Sequence, residues 1–155
     1  LDDYEAGFHS YLGLKYRMEV IGYYKNICFV NDSKATNAEA SREAIISCDN
    51  IYWILGGLEK DDGINQIKNS FKNIKKAYLI GSSIKSFSKT LLEKDIDYEI
   101  CVTLDVAIKN SIFDALKNKF KSTILFSPAC ASYDQFKNYE ERGGAFNGYI
   151  KDYIE

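Results

Sequence analysis

The sequence predicts an α/β domain: a three-layer sandwich in which a mostly parallel sheet, five parallel strands plus one antiparallel edge strand, carries helices on both faces. Two observations lead there. Short apolar runs alternate along the chain with segments whose apolar residues recur at helical spacing. Parallel strands need crossover connections, and those crossovers bury both sides of the sheet. A length of 155 residues suffices for one hydrophobic core and is short for two.

Taken in order, Met18–Tyr23 precedes the first apolar run across a tight turn, "YYKN", and is expected as the antiparallel edge strand. The five parallel strands are expected at Cys28–Val30, Ile51–Leu55, Ala77–Ile80, Glu99–Val102 and Thr123–Phe126. Between them, helical spacing predicts Glu39–Ser47, Ile64–Phe71, Ile84–Glu93 and Val106–Lys117. A closing helix is expected from about Asp134, broken near Gly143–Gly144 and continuing towards Ile154. Thr36 followed by Glu39 has the spacing of a capping box, and Asp134 or Ser132 can cap the last helix. The first fifteen residues fit no element and read as the end of a preceding unit.

Composition narrows the function classes. Apolar residues make up 46% and charged residues 27%, the balance of a soluble globular protein. A net charge of -2 argues against a general nucleic-acid binder, which carries a basic excess. No apolar run nears the roughly 20 residues of a membrane span, and nothing resembles a signal peptide. Cys28, Cys48, Cys101 and Cys130 are scattered among apolar or small residues and are expected as reduced core thiols of a cytoplasmic protein. With His9 as the sole histidine, a zinc site or a Cys–His pair has little to work with. Cys130 lacks a base.

In such sheets ligands bind beyond the carboxyl ends of the strands. Here those ends read "NDSKATN", "GGLEKDDG", "GSS", "VTLD" and "SPACAS". The first holds more hydrogen-bonding groups than a turn and a cap require. A helix start beside Lys34 suits an anion, whereas Lys60 is by itself an ordinary loop lysine. Neither G-x-x-x-x-G-K-[ST] nor G-x-G-x-x-G occurs, so no phosphate-cradling loop is present in this sequence.

Three segments in this order, "NDSKATN", G-G-x-x-K at Gly56–Lys60, and "SPACASYDQFKNYEERG", resemble the C-terminal domain of the Mur ligase family. The resemblance is to the branch that adds D-glutamate to UDP-N-acetylmuramoyl-L-alanine. "GLKYRMEVIG" is similar to the family's junction with its central domain, except that Lys15-Tyr16 stand where Pro-His is usual. The resemblance implies a Rossmann-like domain over residues 15–155, with 1–14 as the tail of the central, ATP-binding domain. It implies a cytoplasmic bacterial ligase of peptidoglycan synthesis, monomeric at full length, without nucleic-acid or membrane partners. ATP phosphorylates the substrate carboxylate, the D-glutamate amine attacks the acyl phosphate, and ADP and phosphate leave. The D-glutamate-binding positions would be Thr36, Lys60, Ser132 and Tyr139 (usually phenylalanine). The nucleotide-binding positions would be Arg17, Asp32 and Lys34. The catalytic residues, the P-loop and the Mg²⁺ ligands would lie in other domains. Two alternatives stand beside this reading: a folylpolyglutamate synthase-like amide ligase, which "SPACASYDQF" disfavours, and a non-catalytic nucleotide or amino-acid binding module.

Overall fold

A computed structural model describes residues 14–60 and 62–154. His9 and nearly all of the expected preceding tail therefore lie outside the described residues. Six strands form one sheet: β1 (Glu19–Tyr24), β2 (Ile27–Asn31), β3 (Ile51–Gly56), β4 (Ile74–Ile80), β5 (Tyr98–Val102) and β6 (Ser122–Phe126). Their order is β1-β2-β6-β3-β4-β5. The β1–β2 pair is antiparallel and every other pair is parallel, as the alternation predicts. Among the described residues four α-helices cover the sheet: α1 (Ala38–Ile46), α2 (Ile84–Glu93), α3 (Leu104–Ala115) and α4 (Tyr139–Ile154).

Alternate residues of each central strand serve opposite cores, since strand side chains have period two. Val30, Trp53, Leu55 and Leu125 pack with Ile45, Phe87 and Leu91 on one face. Phe29, Ile54, Ile124 and Phe126 pack with Ile108, Ile112, Phe146 and Ile150 on the other. Trp53 lies 5.4 Å from Phe71 by ring centroids, and Phe126 stacks on Phe146 at 5.0 Å. All four cysteines are buried and free of disulfides. No helix among the described residues is long and apolar enough to cross a membrane.

Three local expectations are corrected. Asn65–Ser70 is a 3-10 helix rather than an α-helix. The cap of α1 is Asn37, one residue beyond Thr36: its backbone is extended and its Oδ1 accepts the Ala40 amide at 2.9 Å. The last helix starts at Tyr139, not Asp134, and runs unbroken through Gly143–Gly144. Asn138 opens it by accepting the Glu141 amide at 2.8 Å, while Asp134 faces elsewhere and accepts the Ser82 amide at 3.0 Å. Gly143 does not break the helix. A Cβ there would stand 2.6 Å from the Tyr16 ring, so the glycine lets that ring lie on the helix backbone.

Candidate ligand-binding site

Because β6 lies between β2 and β3, the loops after these three strands meet at one edge of the sheet. Short hydrogen bonds lace them together. The Asp32 amide donates to the Phe126 carbonyl at 2.7 Å, and the Gly56 amide to the Pro128 carbonyl at 2.9 Å. Leu58 and Ala131 exchange a pair of bonds at 2.9 and 3.0 Å. Thr36, Lys60 and Ser132, about a hundred residues apart at the extremes, are thus carried by loops bound to one another. Thr36 is half-buried, Lys60 is exposed and Ser132 is buried.

The crowded joint after β2 is mostly architectural. Asn31 Nδ2 donates to the Gly143 carbonyl at 2.9 Å and to Asn147 Oδ1 at 2.8 Å. Ser33 Oγ donates to the Tyr139 carbonyl at 2.8 Å. Lys34 Nζ donates to the Tyr139 hydroxyl at 3.2 Å and sits 4.9 Å from the centre of its ring. Asn31, Ser33 and Lys34 therefore all bind one helix, α4.

Asp32 points inward. One carboxylate oxygen accepts the Met18 amide at 3.1 Å and the other the Ser127 hydroxyl at 2.7 Å. Burial pushes its carboxyl up to about 7, against the opposing pull of those two bonds and of the Arg17 and Arg142 charges. Arg17 itself is exposed beside this joint, and the preceding residue's carbonyl, on Tyr16, accepts the Lys34 amide at 2.9 Å. The Cys130 thiol is pushed up to about 12 by burial. It is a neutral core group at physiological pH, as a cysteine without a base should be.

Sequence reasoning passed over two residues that organise this edge. One is Asn31, whose side-chain Nδ2 reaches partners 112 and 116 residues away. The other is Arg142, which is 1% exposed and lies three residues after Tyr139, on the same face of α4. Its available signal was a charged residue directly preceding a helical Gly-Gly pair. Arg17, Lys34 and Lys60 lie in or beside the segments that meet at this edge: Arg17 follows Tyr16, which holds the Lys34 amide, and Lys60 follows Leu58, which is bonded to Ala131. No cluster of three His, Cys, Asp or Glu side chains among the described residues could hold a metal ion.

No family model matches the chain. Curated relatives do. The chain is 51% identical over 140 residues to the UDP-N-acetylmuramoylalanine–D-glutamate ligase of Wolbachia sp. subsp. Brugia malayi, covering 90% of this chain and 28% of that protein. It is 48% identical over 147 residues to the ligase of the same name from Mesorhizobium japonicum, covering 94% and 31%. The chain is a homologue of part of these ligases. It spans about a third of their length or slightly less. A crystal structure of UDP-N-acetylmuramate–alanine ligase from Thermotoga maritima matches with a TM-score of 0.56 at 11% identity, over 90% of this chain and 30% of that one. That likeness extends the α/β fold to a second ligase; it carries no residue roles.

Proposed function

We propose that this chain is the C-terminal domain of a bacterial, cytoplasmic ligase that joins D-glutamate to UDP-N-acetylmuramoyl-L-alanine, consuming ATP. The observation that carries the reading is the convergence of three loops with ligand-type residues, in a chain 51% identical to a relative of that name. In the reaction, the substrate carboxylate takes the terminal phosphoryl group of ATP. The D-glutamate amine then attacks the acyl carbon; the C–N bond forms, the C–O bond to phosphate breaks, and the amine loses a proton. In this reading Lys60 neutralises a D-glutamate carboxylate, and Thr36 and Ser132 donate hydrogen bonds to it. Tyr139 closes the pocket from the start of α4, steadied by Lys34. Lys34 and Arg17 face the nucleotide, and Asp32 serves that side by holding the Met18 amide next to Arg17. Orienting two anionic reactants and stabilising the charge that develops between them is what such a lobe contributes. The phosphate-cradling loop and Mg²⁺ ligands belong to the remaining two thirds of the enzyme.

Lys60 tests the proposal. A carboxylate paired with it in a closed, water-poor site would lose roughly 2–5 kcal/mol of binding on Lys60→Gln. Steady-state kinetics of the full-length enzyme should then show kcat/KM for D-glutamate falling by more than about thirtyfold, with the KM for ATP much less affected. Unchanged D-glutamate kinetics would remove Lys60 from the site. Equal damage to both substrates would instead assign it to domain closure.

A further inference from the structure

A guanidinium as buried as that of Arg142 ordinarily faces a carboxylate. Among the described residues, no ion pair to Arg142 occurs. Its donors go to neutral oxygens on two different loops. Nε donates to Ser33 Oγ at 3.0 Å and Nη2 to the Ser33 carbonyl at 2.6 Å, in the loop after β2. Nη1 donates to the Cys130 carbonyl at 2.9 Å, in the loop after β6. Nη1 also lies only 3.5 Å from where a Cβ on Gly57 would stand, so the loop after β3 abuts the same group. Replacing a buried charge by a well-packed apolar side chain is often neutral or stabilising, which makes stability alone a weak reason for an arginine here. The planar fork has a property no other side chain offers: donors along two edges at fixed separation.

We propose that Arg142 is a positioning residue that sets the distance between the loops bearing Thr36, Lys60 and Ser132, and so their fit to one amino-acid carboxylate. The inference rests on the D-glutamate reading above. Ser33 is three residues from Thr36, and Cys130 is two from Ser132. Ala131, between them, is bonded to Leu58 in the Lys60 loop. Moving either anchor moves the ligand groups attached to it. A misplacement of about 1 Å can reduce rate by about a hundredfold.

Two variants of the full-length enzyme test this. Arg142→Lys keeps the charge and loses the fork; Ser33→Ala keeps the arginine and removes the hydroxyl that receives Nε, together with that hydroxyl's bond to the Tyr139 carbonyl. Arg142→Lys is expected to raise the KM for D-glutamate at least about tenfold, and Ser33→Ala about threefold, with the KM for the UDP-linked substrate changed by less than about twofold. A purely structural role would lower the fraction of active enzyme, and hence kcat, while leaving both KM values in place. If Arg142→Lys does not fold, Ser33→Ala decides. An unchanged D-glutamate KM in every variant that folds, beside an active wild type, overturns the positioning role alone. A wild type that forms no D-glutamyl amide overturns the functional reading and the positioning role with it.

Discussion

Asp32 is a carboxylic acid almost out of reach of water, with both oxygens engaged by Met18 and Ser127. Its folded value near 7, against 3.8 in an ordinary setting, fixes the sign of a pH effect. Between about pH 4 and 7 the folded state holds a proton that the unfolded state has released, so the stabilisation is complete below about pH 4 and is lost as pH rises through 7. Asparagine can accept from the Met18 amide and donate to Ser127 without titrating. Denaturant melts at about pH 5 and about pH 8 should therefore show Asp32→Asn gaining on the wild type at the higher pH. A wild-type difference carried over unchanged to the variant would contradict it. The sequence shows a joint overfull of polar groups but not what they bind. Apart from the Ser33 amide, which donates to Asn31 Oδ1, the side chains of Asn31, Asp32 and Ser33 find partners between 14 and 116 residues away, and no local pattern encodes such distances.

Helix α4 illustrates how an element can be legible in kind and misread in extent. Its helical spacing is visible, yet Asp134 and Gln135 are drawn off it by the sheet edge. Asp134 accepts the Ser82 amide, and Gln135 Nε2 donates to the Val102 carbonyl at 2.9 Å. Tertiary bonds override local propensity there. The two glycines expected to break the helix do not, because one of them makes room for Tyr16. The strands were easier to read, since alternate residues feed two separate cores and both faces are apolar. Gly143 and Gly148, five residues apart on α4, should respond to alanine in opposite directions. At Gly143 the new methyl meets the Tyr16 ring, and overpacking of about 1–3 kcal/mol outweighs the helix propensity of about 0.5–1 kcal/mol gained. At Gly148 nothing lies within 4 Å, so Gly148→Ala should stabilise by about 0.5–1 kcal/mol. Urea denaturation of both variants checks the pair; a shift of the same sign in both would refute the packing argument.

For the molecule as a whole, the purified 155-residue chain should release no phosphate from ATP in the presence of D-glutamate, because it has no phosphate-cradling sequence. A phosphate-release assay that detects turnover, with contaminating ligase excluded, would reassign the missing parts to this domain. The strand order also governs how the chain can be made. Ser122–Phe126 is the last strand to leave the ribosome, yet it joins Ile27–Asn31 on one side to Ile51–Gly56 on the other. Until it arrives, the nascent chain can pair β1 with β2 and β3 with β4 and β5, but these two half-sheets have no hydrogen-bonded ladder between them. Loop closure over some ninety residues must precede the reward of the central pairing, which makes assembly slow and late. During translation the chain therefore carries two sheet edges that only its final third can close, and that interval is when it is most open to pairing with the wrong strand.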